Sequence, residues 1–176
     1  MPTGKARHAI GVHVIPIRPD GKILLGLRSG NVQLAPGKWS TTCGTLEANE
    51  TAPYGAAREA LEELGVTIDP DDLRFAHAAH FTNDEGHGPA LAIFFTTHVW
   101  SGIPMIREPD KCEAFDWFDI NVLPQPIVPY VAHALTHIQC GIATNSLDTG
   151  FSTLGWPETG VIGAPATAAK EDAAGL

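Results

Sequence analysis

The sequence predicts an α/β fold in which helices cover a mixed β-sheet on both sides, a helix–sheet–helix sandwich. Three observations predict it: apolar segments that alternate like strands, two segments with helical spacing, and the mixed order of the two kinds. The chain has 176 residues, 44% hydrophobic and 18% charged, which is typical of one domain with modest extensions. We expect residues 1–156 to form that domain and residues 157–176 to be a flexible tail, because the tail has few large apolar side chains to bury.

The predicted strands begin near the N-terminus. His8–Arg18 and Lys22–Arg28 are predicted to form a β-hairpin, because two apolar runs flank the turn-forming pair Asp20-Gly21. Ser29–Trp39 is rich in Gly, Asn and Pro, and we expect it to be an exposed loop. Three further segments have strand character: Leu73–Thr82, Ala90–Trp100 and Phe115–Ile120.

Two helices are predicted. Thr51–Leu64 has apolar residues at helical spacing, with Thr51 as a plausible N-cap and Pro53 in the first turn. Gly65 follows directly, where a left-handed residue usually ends a helix. Pro129–Cys140 has the same spacing and is predicted to be a second helix opened by a proline.

Charge and composition exclude several function classes. The 11 Lys+Arg and 20 Asp+Glu give a net charge of −9, which argues against a protein that holds long nucleic acid by neutralising phosphates. Binding of a small nucleotide stays possible, because metal ions can offset its few charges.

The sequence also lacks the patterns of a membrane span and of a secretory leader. No stretch approaches the roughly 18 apolar residues of a membrane span. His13 and Pro16 make the segment after the basic Met1–Arg7 a poor secretory leader. The three cysteines are widely spaced and lack CxxC pairs, so we expect a reducing, cytoplasmic location.

Acidic residues cluster on the first predicted helix. Glu59, Glu62 and Glu63 are related as i, i+3 and i+4, so their carboxylates share one face. Each close pair of like charges costs about 0.2–0.5 kcal/mol unless something positive is supplied. The oxygen donors, with no thiolate or imidazole partner, predict Mg²⁺ or Mn²⁺ rather than Zn²⁺. Such ions are usually completed by substrate phosphates, which suits phosphoanhydride chemistry.

Arg58 and Gly44, which lie near the acidic residues in the sequence, fit a Mg²⁺ or Mn²⁺ site. Arg58 can pair with Glu62, four residues later on the helix, or with Glu50, which precedes the helix. In either case its guanidinium group can orient a carboxylate through two parallel hydrogen bonds. Gly44 allows close approach of the backbone, so that its carbonyl oxygen can face a metal.

The segment 44–66, GTLEANETAPYGAAREALEELGV, resembles the Nudix box, G-x5-E-x7-R-E-U-x-E-E-x-G-U, in which U is a bulky aliphatic residue. Every fixed glycine and polar position is met. The departure is Ala60 at the first U position, which weakens the expected packing behind the helix and leaves the acidic residues untouched.

The resemblance implies a Nudix-type α/β/α sandwich that hydrolyses a nucleoside diphosphate linked to another group. Its implied ligands for Mg²⁺ or Mn²⁺ are the Gly44 carbonyl and the carboxylates of Glu59, Glu62 and Glu63. Arg58 and Glu50 are implied to orient those carboxylates. A carboxylate takes a proton from the attacking water, and Glu59 is the first candidate, although family members differ in this residue. A later loop often adds a glutamate, for which Glu108 fits best and Glu113 and Glu85 are alternatives.

The substrate is expected to be a (deoxy)nucleoside triphosphate or modified nucleotide, cleaved to the monophosphate and pyrophosphate. Trp117 and Phe115 are candidates to stack on the base, with ordinary packing as the alternative. Arg28 is a candidate phosphate contact, with a surface charge as the alternative. ADP-ribose or another sugar nucleotide is a second substrate class, and a module that senses a nucleotide without cleaving it is the non-enzymatic alternative. The sequence leaves the oligomeric state open, with a homodimer as one option.

Overall fold

Eight strands in two sheets make up the β-structure of the residues that the computed structural model describes, 7–82, 90–144 and 150–155. The strands are β1 Ala9–Pro16, β2 Ile23–Arg28, β3 Trp39–Ser40, β4 Thr42–Thr45, β5 Arg74–Thr82, β6 Ala90–Thr97, β7 Cys112–Phe118 and β8 Gly150–Gly155. The larger sheet has the order β4-β1-β6-β5-β8, and the smaller has the order β3-β2-β7. The predicted domain end at residue 156 and the tail 157–176 lie outside the described residues.

The larger sheet is mixed, as the sequence predicts. Strand β1 runs parallel to β6, in register from Ala9↔Ala90 to Pro16↔Thr97, and antiparallel to β4. Strand β5 runs antiparallel to β6 and parallel to β8. The smaller sheet is antiparallel throughout. The strands predicted at Leu73–Thr82 and Ala90–Trp100 are confirmed as β5 and β6. The strand predicted at Phe115–Ile120 is present as β7, which begins three residues earlier and ends two residues earlier.

The predicted hairpin of β1 and β2 is wrong, although the turn between them forms. The Arg18 N–H donates to the Lys22 carbonyl, and Gly21 takes a left-handed φ of 81°. Beyond an isolated bridge between Ile17 and Ile23, however, the two strands separate into different sheets. Both edges of β1 are already occupied by β4 and β6, so β2 pairs instead with β3 and β7.

The first predicted helix is confirmed and changes character along its length. Helix α1 covers Ala52–Glu59, and Ala60–Leu64 continue it as a π-helical turn. Gly65 ends the turn with φ 69°, the left-handed conformation that its position predicts. Thr51 occupies the N-cap position in extended conformation, but its hydroxyl makes no capping hydrogen bond. The second helix, α2, covers Pro129–Thr144 and so extends past its predicted end.

Two apolar clusters fill the spaces between helices and strands. Val12 and Val14 of β1 belong to the cluster that α1 covers, whereas Ile15 belongs to the cluster that α2 covers. Because alternate residues of a strand point to opposite faces, this division places the helices on opposite sides of the sheet. The predicted α/β/α sandwich with a mixed sheet is thereby confirmed. Within the described ranges, no helix is both long and apolar enough to cross a membrane.

Some of the buried side chains are polar, and His13 is one of them. His13 on β1 is 2% exposed, stacks on Phe94 at 4.3 Å between ring centroids, and its Nδ1 lies 2.8 Å from the Thr41 hydroxyl oxygen. Burial, with a smaller contribution from the positive charge of Arg28, lowers the pKa of His13 to about 3. The imidazole is therefore neutral in the folded chain at every pH where the chain is expected to work.

We predict that this histidine makes the chain less stable in mild acid. The unfolded imidazole has a pKa near 6.5, so the unfolded chain takes up a proton that the folded chain rejects. The stabilisation is fully present above about pH 6.5 and is lost as the pH falls toward 3; at pH 5 the loss is about 2 kcal/mol. Urea unfolding at pH 7.5 and pH 5.0 measures it. His13→Gln should remove this part of the pH dependence, and His98→Gln, at an exposed position, should not. An unchanged pH dependence in His13→Gln would contradict the prediction.

Candidate active site

The acidic residues of the first helix face a cleft of about 340 Å³. One wall comes from the helix and its π-helical turn, and the other walls come from β2, β3, β4 and the loop before β7. Its lining residues are Gly26, Arg28, Val32, Ser40, Thr41, Thr42, Cys43, Gly44, Thr45, Glu59, Glu62, Glu63, Leu64, Glu108, Lys111 and Cys112. The predicted ligands Gly44, Glu59, Glu62, Glu63 and Glu108 are therefore brought together around one opening.

Arg58 connects the carboxylates beside this cleft. Its Nε and Nη2 donate to the two oxygens of Glu50 at 2.9 and 3.1 Å. Its Nη1 donates to both Glu59 Oε1, at 2.7 Å, and Glu62 Oε2, at 3.0 Å. The two partners that the sequence leaves open, Glu50 and Glu62, are thus both engaged, and Nη2 also reaches the Thr45 carbonyl at 3.2 Å. The hydrogen bonds from Arg58 lower the pKa of Glu50, so this carboxylate stays ionised.

Two glycines make room for these side chains. A Cβ on Gly44 would lie 2.0 Å from Glu59 Oε1, so any other residue there would displace the Glu59 carboxylate. A Cβ on Gly55 would lie 2.8 Å from Glu50 Oε2. Gly55 is not among the residues predicted from the sequence, although a signal exists: glycine inside a helix costs about 1 kcal/mol relative to alanine, which indicates close packing at that position.

Glu63 is held by the backbone of β4. Its Oε2 accepts a hydrogen bond from the Cys43 backbone N–H at 3.1 Å. Burial raises its pKa to about 7, with smaller contributions from the charges of Glu59 and Glu108. Burial also raises the pKa of Glu59, against the opposing effect of Arg58. Both carboxyl groups therefore gain from a cation placed beside them, because it would keep them ionised at neutral pH.

The loop before β7 carries Glu108, the later glutamate that the family resemblance predicts as a ligand. Glu108 lines the cleft, and its Oε1 accepts a hydrogen bond from Lys111 Nζ at 2.8 Å. Lys111 also lines the cleft and is not among the predicted residues, because no local sequence pattern marks a loop lysine as facing a cleft. Of the two alternatives to Glu108, Glu113 binds the Gly30 N–H at 2.8 Å instead, and Glu85 lies outside the described residues.

The donor set fits a hard divalent cation. The groups gathered at the cleft are carboxylate and carbonyl oxygens, which Mg²⁺ and Mn²⁺ prefer, and the buried carboxyls need positive charge. In the described parts of the chain, no three His, Cys, Asp or Glu side chains already form a compact metal-binding group. A bound ion therefore has to draw the carboxylates closer together or be completed by water and substrate oxygens.

The predicted substrate contacts divide into two groups. Arg28 lines the cleft, and its Nε donates to the Leu34 carbonyl at 2.9 Å, which ties it to the loop between β2 and β3. Phe115 and Trp117 do not line this cleft and pack against the apolar cluster under α1. Trp117 also stacks on Trp100 at 6.0 Å between centroids. Base stacking by these two aromatic residues stays a prediction.

The chain was compared with known proteins. A family model described as the NUDIX domain matches residues 7–137. An NAD-capped RNA hydrolase NudC from Deinococcus radiodurans is 29% identical over 135 residues, 77% of this chain and 44% of that protein. An oxidized purine nucleoside triphosphate hydrolase from Danio rerio is 29% identical over 63% of this chain and 66% of that protein.

Solved structures agree with the family match. The crystal structure of a MutT NUDIX hydrolase from Burkholderia pseudomallei aligns with a TM-score of 0.68 and 27% identity, over 74% of this chain and 98% of that one. The chain spans less than half the length of the NudC relative. The domain match covers the cleft, the Arg58 network and the acidic helix together, so the chain belongs to the Nudix hydrolase family.

Proposed function

We propose that this chain uses a divalent cation to hydrolyse a phosphoanhydride bond in a nucleoside diphosphate joined to another group. The leading substrate is a (deoxy)nucleoside triphosphate or modified nucleotide, cleaved to the monophosphate and pyrophosphate. The observation that carries the proposal is the Arg58 guanidinium, which holds Glu50, Glu59 and Glu62 beside one cleft. The oxidized purine nucleoside triphosphate hydrolase among the relatives supports the triphosphate class.

Each residue has a defined part in this proposal. The ion would be held by oxygen atoms of Gly44, Glu59, Glu62, Glu63 and Glu108. A bound Mg²⁺ or Mn²⁺ supplies charge that draws electron density from the bridging phosphates and makes a bound water easier to deprotonate. Glu59 is the first candidate to accept the water proton, because burial already favours its protonated form. Arg58 and Glu50 keep the carboxylates in fixed orientations, and phosphoryl transfer depends largely on such positioning.

The charge balance of the cleft explains why a metal is required. Four glutamates line it, whereas Arg28 and Lys111 are the Lys and Arg side chains among its lining residues. A triphosphate would meet net repulsion there without further positive charge.

We propose a cytoplasmic location for this chain. The reducing environment expected from the sequence suits Cys43 and Cys112, which are free thiols in the structure.

A second substrate class has a specific observation in its favour. The NudC relative is named for an NAD-capped RNA, in which two nucleotides are joined by a pyrophosphate. Such a substrate contains the same kind of bond, a phosphoanhydride. Because the aligned region is 44% of that protein, the triphosphate remains the first choice, and the reaction products separate the two classes.

We predict that activity depends on a divalent cation and on a triphosphate substrate. Purified chain with excess Mg²⁺ should release pyrophosphate and a monophosphate from one or more nucleoside triphosphates, and chromatography measures both products. A chelator should abolish this turnover, and added Mg²⁺ or Mn²⁺ should restore it. Release of ribose phosphate from ADP-ribose, or of two mononucleotides from NAD, without triphosphate cleavage would contradict the triphosphate assignment. Turnover that survives chelation would contradict the metal requirement.

We predict that Glu62→Gln lowers kcat by at least about 100-fold, because the amide keeps the shape of the side chain but loses the charge. The Glu62 side chain is about half exposed, so the fold should be retained. Thermal unfolding checks the fold, and steady-state kinetics with Mg²⁺ checks the rate. The matched control is Glu47→Gln, an exposed glutamate whose backbone N–H, not its side chain, contacts Glu50. Equal activity of the two variants would count against the assignment of Glu62.

We predict that Gly44→Ala lowers kcat about 100-fold by moving Glu59. The added Cβ cannot occupy the space that the Glu59 carboxylate fills, so that side chain must shift. Gly30→Ala is the control, since a Cβ there meets nothing nearer than Glu113 Oε1 at 3.8 Å. Steady-state kinetics at saturating Mg²⁺ makes the comparison. A Gly44→Ala variant as active as Gly30→Ala would show that the position of Glu59 is unimportant.

A further inference from the structure

Helix α2 carries two histidines that are one helical turn apart. His133 and His137 are related as i and i+4, so their side chains lie on the same face of the helix. Their Nε2 atoms are 3.1 Å apart, and both residues are partly exposed. We call these two residues the histidine pair. The pair belongs to the helix on the opposite side of the larger sheet from α1 and its acidic residues.

The contact within the histidine pair requires at least one unprotonated ring nitrogen. A hydrogen bond between two imidazoles needs an N–H on one ring and a nitrogen with an available lone pair on the other. Helix α2 contains no Asp, Glu, Lys or Arg, so no charged side chain of the helix itself competes for either ring. A neutral imidazole nitrogen is the commonest metal ligand in proteins. The pair therefore presents ligand atoms of the kind that a metal ion binds.

A third histidine packs against the pair from the sheet. His77 of β5 is 0% exposed, and its ring stacks on that of His137 with 5.0 Å between centroids and 10° between the ring planes. The His133 ring meets His77 edge-on at 6.4 Å between centroids. Packing thus restricts the ring of His137 before any ion is bound. A restricted ligand loses less conformational freedom on binding, which favours the bound state.

The distance within the histidine pair is close to the distance between two ligands of one ion. Zn–N bonds to histidine are about 2.0–2.1 Å long, so two nitrogens at tetrahedral positions lie about 3.3 Å apart. The two Nε2 atoms are separated by 3.1 Å. Imidazole suits Zn²⁺, Cu²⁺ and Ni²⁺, whereas Mg²⁺ prefers oxygen ligands. The pair and the acidic cleft are therefore suited to different metal ions.

We propose that His133 and His137 bind one divalent transition-metal ion, such as Zn²⁺, through their Nε2 atoms. The ion takes the place of the hydrogen between the two nitrogens, and that proton moves to Nδ1 of its own ring or to solvent. Water completes the coordination, in agreement with the absence of three grouped His, Cys, Asp or Glu side chains in residues 7–82, 90–144 and 150–155. Because both ligands belong to one turn of α2, the ion stabilises this helix.

The test counts bound Zn²⁺ by calorimetry, with excess Mg²⁺, in the unmodified chain, His133→Gln and His137→Gln. Each variant should bind one Zn²⁺ fewer than the unmodified chain, or bind that ion at least about tenfold more weakly. Zn²⁺ should also raise the unfolding temperature of the unmodified chain by more than that of either variant. Both residues are partly exposed, so we expect both variants to fold. Unfolding temperatures without Zn²⁺ check the fold, and if one variant does not fold, the other decides.

Two controls separate the histidine pair from other groups that bind Zn²⁺. His80→Gln removes the contact between His80 and the exposed His8, whose Nε2 atoms are also 3.1 Å apart. Cys140→Ser removes the exposed thiol three residues after His137. In both control variants, the Zn²⁺ ion assigned to the histidine pair should remain bound.

Three results would overturn the proposal. They are an unmodified chain that binds no Zn²⁺, unchanged Zn²⁺ binding in both histidine-pair variants, and a loss in only one of them when both fold, because the proposal requires both nitrogens. The measurement needs no nucleotide and no turnover. The metal site and the proposed hydrolysis can therefore fail independently of each other.

Discussion

The site depends on a single guanidinium that is shared by three carboxylates. Arg58 binds Glu50 with two of its nitrogens and bridges Glu59 and Glu62 with the third. Because Glu50 precedes the helix and the other two glutamates belong to the helical segment, the same side chain fixes the approach of the chain to α1 and the orientation of the acidic face. One positive charge cannot neutralise all three carboxylates and Glu63 as well. The architecture that organises the glutamates therefore also leaves them in need of a further cation.

The acidic cluster was predictable because its geometry is local. Helical spacing alone places Glu59, Glu62 and Glu63 on one side, and the position of Gly65 alone indicates where the helical segment ends. For Arg58, the sequence predicted either Glu50 or Glu62 as the partner, because residue spacing does not show how many carboxylates one guanidinium group binds. The structure engages both, because Nε and Nη2 serve Glu50 and leave Nη1 for the helix.

Strand pairing was less predictable because it is decided by residues far apart in the sequence. The turn around Gly21 forms as its composition indicates, yet β1 takes β4 and β6 as neighbours, and neither is local to that turn. The two-residue strand β3 and the four-residue strand β4 carry too little alternation to be recognised. The lining of the cleft was hard to predict for the same reason. Ser40 and Lys111 line the cleft from separate elements, so no sequence motif connects them with the glutamates.

The short segment from Ser40 to Gly44 lines the cleft and links the two sheets. Ser40 belongs to β3 in the smaller sheet, and Gly44 belongs to β4 in the larger one, so the chain passes between sheets at Thr41. The Thr41 side chain is paired with the buried His13 of β1, which anchors this crossing in the core. The position of Gly44 relative to β3 is thus set by how the two sheets pack.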